Sequence, residues 1–416
     1  MLNATTSKRN VILYIGAFEL PDKNAAAQRI LSNAKLFQSL GYEVVLIGRS
    51  RSDEMLDGEI RKAEYPGIDF ECWETAYPKS TGAWFRHIIF TSNIQQAFQD
   101  RLQGRLFAVI CYDYPAIAQL TAKRFANRLG GFGIAEVTEW YAHSNAIKLS
   151  TMVRNLDTFL RMRIVNFRMD ALITTSRFLT RYYKSSQPNI VELPTLINRR
   201  GNFEEIAPIA SKDGVPKRLF FAGSGFDLKL ARQGAGGLKD RLDWVLELLF
   251  EVHKNDTDFW FEIYGVTKED YLILLPEHKS MVEAMSNKVC FHGMQPRDVL
   301  LKTLISSDYS IFLRKEMLVT KAGFPTKFSE SIAYGTPVIT NMLENIEPYF
   351  EEEKNGIEID YFDRPKSVAR LQEVLGYSQD KIMAMKESCL KSETFSYRSF
   401  CEPVAQMFGK TNTHKD

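Results

Sequence analysis

In the stretch Gly323-Phe-Pro-Thr-Lys-Phe-Ser-Glu-Ser-Ile-Ala-Tyr-Gly-Thr-Pro-Val-Ile-Thr340, a cation and a carboxylate, Lys327 and Glu330, stand three residues apart where a short helix is expected to begin. Pro325 falls where a first helical turn tolerates a missing N–H, and Phe328, Ile332 and Ala333 recur at helical spacing. Free N–H groups, the positive end of the helix dipole and the Lys327 ammonium favour an anion such as a phosphate. Glu330, a strong acceptor pair, suits a diol such as a ribose. Gly335-Thr-Pro337 stops the helix and Val338-Ile339 opens a strand. A second chemical group is Glu139-Trp-Tyr-Ala-His143, which sets a carboxylate, two amphipathic rings and an imidazole directly after the apolar run Phe132 to Thr138. The one Asp-x-Asp, Asp256-Thr-Asp258, precedes the expected strand Phe259 to Tyr264. It therefore lies at the amino end of a strand, opposite the edge where open parallel sheets take ligands, and no metal site is expected from it.

The elements that position these groups alternate. Asn10 to Ile15 reads as a buried strand ending at Gly16, a helix opens at Asn24 with Ala26, Ile30, Leu31, Ala34, Phe37 and Leu40 on one face, and Glu43 to Gly48 is the next strand. Leu106 to Tyr112, Phe132 to Thr138, Asp170 to Thr175 and Asn189 to Leu193 continue the pattern. A single helix is expected from Thr151 to Met169, with Arg154, Arg161 and Arg168 as a basic stripe on its wet face. Residues 199–216 lose periodicity and read as a linker. Strands resume at Lys217 to Gly223, Phe259 to Gly265, Val289 to Gly293 and Tyr309 to Leu313, and helical sequence closes the chain from Ser396 to Phe408. The fold class is α/β, in two domains.

The composition, 45% hydrophobic and 25% charged over 416 residues, is that of a globular chain with substantial cores. Met1 to Asn10 is polar and no apolar run approaches a membrane span, so a cytoplasmic location is expected. The five cysteines, odd in number and without metal-ligand spacing, read as free buried thiols. The net charge of +2 is uneven: residues 1–200 hold 26 Lys and Arg against 18 Asp and Glu, and residues 201–416 hold 27 against 33. The basic first half is expected to meet an anionic partner, either a phosphate-bearing substrate or the inner face of the cell membrane; no nucleic-acid partner is expected.

The stretch around Lys327 and Glu330 resembles the nucleotide-sugar site of retaining glycosyltransferases of family 4, which have the GT-B fold of two facing Rossmann-like domains. In that family two glutamates stand eight positions apart, the second followed by Ala-x-Gly-x-Pro-Val-Ile. Glu330 matches the second, whereas Ala322 stands at the first. Glu139-Trp-Tyr141 is similar to the Thr-Glu-Trp-Tyr segment of one branch of the family, and Met169 to Ser176 resembles the end of its first domain. The resemblance implies a first domain over 1–198, a linker over 199–216, a nucleotide-sugar domain over 217–395 and a helix over 396–416 that packs back on the first domain. It assigns catalytic work to Lys327, Glu330, His143 and Lys239. Donor contacts fall on Gly16, Asn24, Gly223, Ser224, Arg241, Gly265, Gly293, Met294, Arg314, Gly323, Phe324, Pro325 and Thr326, and acceptor contacts on Glu139, Trp140 and Tyr141.

The function so implied is transfer of a sugar from a nucleoside-diphosphate sugar to a glycan or lipid-linked acceptor, with retention at the anomeric carbon. No cofactor is expected beyond the nucleotide sugar as co-substrate, and no metal. A nucleotide-sugar epimerase of the same fold, and a non-catalytic partner of another transferase, are the competing readings; the second is motivated by Ala322.

Overall fold

The protein is described from a computed structural model, which describes residues 9–21, 25–52, 54–88, 92–140, 149–199, 205–223 and 238–413. The chain divides into two compact units, Met1–Asn198 with Tyr397–Asp416, and Arg199–Ser396.

The first unit holds β1 (Val11–Gly16), β2 (Glu43–Ser50), β3 (Ile60–Ala63), β4 (Glu71–Ala76), β5 (Leu106–Tyr112), β6 (Phe132–Val137), β7 (Ala171–Thr174) and β8 (Ile190–Glu192) in one sheet, ordered β3-β4-β2-β1-β5-β6-β7-β8. Pairing is parallel throughout except between β3 and β4. Because helices cover both faces, β1 must be apolar on both sides, and its residues alternate between two cores. Ile12 and Tyr14 join the helix Ala25–Ser39 through Ile30, Ala34 and Phe37; Val11, Leu13 and Ile15 join Phe98, Ala122 and Phe125 on the other face. The helix Cys401–Thr413 closes the first of these cores with Val404, Met407 and Phe408, whose ring lies 5.6 Å from that of Phe37 and 5.0 Å from that of Phe107. A hydrogen bond from Asn189 to Thr411 fixes its far end.

The single helix expected over Thr151 to Met169 is three pieces. An α-helix over Leu149–Leu160 widens into a π-helical turn at Arg161–Val165 and ends in a 3-10 turn at Asn166–Arg168. The basic stripe breaks there. Arg161 is buried with its guanidinium 3.8 Å from Asp113, while Arg154 and Arg168 stay exposed. Cys290 corrects the expectation of buried thiols: the five cysteines are free, yet Cys290 is exposed and Cys401 only partly covered.

The second unit holds β9 (Lys217–Ala222), β10 (Phe259–Tyr264), β11 (Val289–Gly293), β12 (Tyr309–Ile311), β13 (Val338–Thr340) and β14 (Gly356–Glu358), all parallel, ordered β11-β10-β9-β12-β13-β14. Strand order reverses at β9, which lies between β10 and β12. The helices Leu242–Lys254, Thr326–Ala333, Arg364–Leu375 and Gln379–Lys391 bury Val245, Leu249, Phe328, Ile332, Leu371 and Ile382 in one core with these strands. Asp258, at the amino end of β10, pairs with Lys288 at 2.5 Å.

Two lysines of this unit, Lys217 and Lys386, are buried. Lys386 is fully buried, donating to the Ile305 carbonyl at 3.0 Å, and burial pushes it down to about 8. Its folded value thus lies below that of the unfolded chain, so the unfolded state binds more protons between about pH 8 and pH 10 and stability from this group rises with pH there. Lys386→Met should be more stable than the native chain at pH 7 by on the order of 1–2 kcal/mol, net of the lost hydrogen bond, with the difference shrinking toward pH 10. Urea unfolding at pH 7 and pH 9.5 checks this; a difference that does not depend on pH removes the buried charge as its cause.

Candidate functional site

Three strands of the second unit run into glycines at the carboxyl edge of the sheet. Gly223 follows β9, Gly265 follows β10 and Gly293 ends β11, and their backbones are laced together: Gly223 N–H donates to the Tyr264 carbonyl at 3.0 Å, Gly265 N–H to Gly293 at 2.7 Å, and Gly293 N–H to Val266 at 3.1 Å. Gly293 needs its lack of a side chain, with φ at +61°. At Gly223 a Cβ atom would come within 3.0 Å of the Lys327 ammonium, which places this glycine directly against the helix Thr326–Ala333.

That helix starts one residue later than the sequence implies. Pro325 is its cap rather than a member of its first turn, and Lys327 is its second residue. Asn345, buried, donates to the carbonyls of Gly323 at 2.6 Å and Thr320 at 3.2 Å and so holds the approach. Phe324 turns inward against Tyr349 and Phe395.

The centre of the site is a carboxylate that the sequence reading did not single out. Asp240 accepts from Lys327 Nζ through Oδ2 and from Arg314 Nε through Oδ1, both at 2.5 Å. Burial alone would raise the Asp240 carboxyl, but the charges of Arg314 and then Lys327, with their hydrogen bonds, hold it well below the usual carboxylate range. Arg314 is fixed from behind, since Asn341 accepts from its N–H at 2.8 Å and donates to its carbonyl at 3.0 Å. Two cations, one of them at a helix start, therefore share one carboxylate beside Gly223.

Glu330, one turn beyond Lys327, accepts from Arg297 at 2.6 Å. Arg297 is the first residue of the helix Arg297–Ser306, after the Gly293-Met-Gln-Pro turn whose Met294 is exposed. Burial lowers the Arg297 guanidinium, yet Glu330 and Tyr334, through charge and hydrogen bonds together, leave it raised. Ala322 is buried at the end of the helix Leu318–Ala322. Lys239 is exposed next to Asp240 in the chain. Arg241 is committed elsewhere: it pairs with Asp243, with its guanidinium 4.1 Å from the centre of the Trp244 ring, at the start of the helix Leu242–Lys254. Ser224 lies outside the described residues.

In the first unit Gly16 ends β1, where a Cβ atom would sit 2.7 Å from that of Tyr112. Trp140 is wedged between Phe178 and Tyr182, at 5.8 and 5.1 Å, with the Arg163 guanidinium 5.1 Å from its ring; Glu139 precedes it, half-buried. Asn24, Tyr141 and His143 lie outside the described residues. Beneath this edge is a buried network that the sequence did not disclose. Glu136 accepts from Tyr14, from Asn33 at 3.0 Å and from Arg29 at 2.5 Å, and Arg29 also donates to the carbonyls of Leu193 and Pro194 at 2.7 and 2.9 Å.

No family model and no curated relative matches the chain. Solved structures do, over nearly full length. The lipopolysaccharide outer core galactosyltransferase WaaB, in its apo form, matches with a TM-score of 0.59 at 13% identity, covering 95% of this chain and 99% of that one. The catalytic domain of starch synthase IV from Arabidopsis thaliana, bound to ADP and acarbose, gives 0.64 at 10% identity over 97% and 99%. Anabaena Alr3699/HepE in complex with UDP gives 0.62 at 9% identity over 96% and 99%. The likeness shows the fold, which is that of the GT-B glycosyltransferases.

Proposed function

We propose that the protein is a glycosyltransferase that moves a sugar from a nucleoside-diphosphate sugar, held by the second unit, to a glycan or lipid-linked acceptor taken by the first, with retention at the anomeric carbon and without a divalent metal. The observation that carries this reading is the Lys327–Asp240–Arg314 cluster beside Gly223 at the start of the helix Thr326–Ala333. Departure of a nucleoside diphosphate develops negative charge on its phosphate oxygens, and fixed cations with free helix N–H groups stabilise that charge as it forms. Asp240 keeps the two cations at set positions; a diphosphate bears more charge than one carboxylate and competes for them. Glu330, oriented by Arg297, is placed to accept from a ribose diol. Starch synthase IV and HepE, which share the fold, are complexes with ADP and UDP. Ala322 supports a second reading, a non-catalytic partner of another transferase, since the family pattern has a carboxylate there. Incubation with a panel of nucleotide sugars, with and without lipid extract, separates the readings by release of free nucleoside diphosphate.

Membrane contact is part of the proposal. Met152, Leu156 and Phe159 are exposed along one side of the helix Leu149–Leu160, with Arg154 and Arg163 exposed nearby. The protein should sediment with anionic vesicles at low ionic strength and be released by salt, and Leu156→Glu should weaken this. Failure to sediment at low salt removes the membrane from the proposal.

Activity in excess EDTA should equal activity with added Mg²⁺, and Lys327→Ala should lower turnover by about 10²-fold. Chelator-sensitive activity restored by Mn²⁺ would overturn the metal-free mechanism. Glu330→Gln keeps the shape but replaces a charged acceptor, so nucleoside diphosphate binding should weaken by about 1.5–3 kcal/mol in calorimetry. Unchanged affinity takes Glu330 out of the site.

A further inference from the structure

A second charged cluster lies in the first unit, at the carboxyl end of β2. Arg49 and Arg51 are two residues apart along an extended segment, so both side chains leave on the same side. Tyr77, which follows β4 and donates its N–H to the Ser50 carbonyl at 2.9 Å, places its ring centre 5.9 Å from the Arg49 guanidinium and 5.1 Å from that of Arg51. The helix Thr81–Ile88 supplies two more rings: Trp84 meets Tyr77 and His87 edge to face, at 6.5 and 6.0 Å, and His87 meets Tyr114 at 5.8 Å.

Arg49 has an unusual partner for an inward-facing arginine of this protein. Arg29 pairs with Glu136, Arg161 approaches Asp113 and Arg314 pairs with Asp240. Among the described residues Arg49 instead donates to an imidazole nitrogen, His87 Nε2, while the nearby carboxylate of Glu19 is held by Arg51 at 2.8 Å. Burial, and then the Arg49 charge, push His87 down to about 3, so the ring is neutral at physiological pH and can only accept from the guanidinium. Burial likewise lowers Arg49 itself, with Tyr114, Tyr77 and Glu19 offsetting only part of the effect. A half-buried guanidinium with one neutral acceptor has N–H groups left to give, and a guanidinium fork matches a carboxylate or phosphate. The Tyr77 and Trp84 rings beside it suit the apolar face of a sugar.

We propose that this corner binds the anionic group of an acidic sugar, a carboxylate or phosphate, on the acceptor. The inference rests on the glycosyltransferase reading for its context, though not for its chemistry. The test uses the full-length protein and calorimetric titration with glucose 6-phosphate, glucuronate and glucose, and separately with UDP and ADP. At least one of the two anionic sugars should bind more tightly than glucose, and which one identifies the group. Arg49→Gln should weaken that binding by about tenfold or more while leaving nucleoside diphosphate binding unchanged. Should Arg49→Gln fail to fold, Trp84→Ala, at a part-exposed position, should show the same selective loss. Equal binding of all three sugars, or anionic-sugar binding that survives both substitutions, overturns the proposal. Nucleoside diphosphate that fails to bind while Arg49-dependent sugar binding persists would sink the transferase reading and leave this site standing.

Discussion

All six strands of the second unit's sheet run parallel, and that constraint sends each strand-to-helix loop to the same edge. Strands covered on both faces leave their middles no place for unpaired charge, so charged side chains gather where the strands end. Arg314 follows the buried pair Phe312-Leu313, Lys327 opens the helix before β13, and Asp240 lies just before the helix that follows β9. Residues 74 and 87 positions apart in sequence meet there because β9 has β12, not only β10, as a neighbour.

Two cations held this close would repel each other by several kcal/mol at a partly buried edge, on the order of 4 kcal/mol for unit charges about 4 Å apart. Asp240 turns that repulsion into a bridged triad with a net charge of +1, in which each cation has a fixed place. The network under the first unit's edge works differently. Arg29 spends its donors on Glu136 and on the carbonyls of Leu193 and Pro194, which ties β6 and the segment after β8 to the helix Ala25–Ser39. A guanidinium so fully occupied is a brace. Arg49, with a neutral imidazole as its acceptor, is not.

What could be read from the sequence was whatever depends on near neighbours. The strands ending at Gly16, Gly223 and Gly293, the short helix around Phe328 and Ile332 and the strand at Val338 all follow from local periodicity and from Gly and Pro punctuation, and they are present. The pairing of Glu330 with Arg297 and of Lys327 with Asp240 was not legible, because the partners are set by sheet order, which no local signal encodes. Arg161 shows the opposite failure. Its seven-residue spacing from Arg154 and Arg168 reads as a solvated stripe, but at the end of the α-helical stretch its guanidinium turns to Asp113, which follows β5 and is a partner that no local spacing shows. Cys290 on the outer strand β11 was misjudged for a similar reason: residue type favoured burial, while an edge position in the sheet allowed exposure.

The same dependence on partners explains what Ala322 does to the site. Five charged side chains are joined by ion pairs at the second unit's edge, namely Arg314, Lys327 and Arg297 against Asp240 and Glu330. Their sum is +1. A glutamate in place of Ala322, in the loop-side helix that Asn345 ties to the start of Lys327's helix, would bring that sum to zero and would have to find a donor within a fully buried position. With alanine there, the ion-paired side chains of this edge keep their sum of +1. In the transferase proposed above, that positive edge is what a diphosphate leaving group would meet.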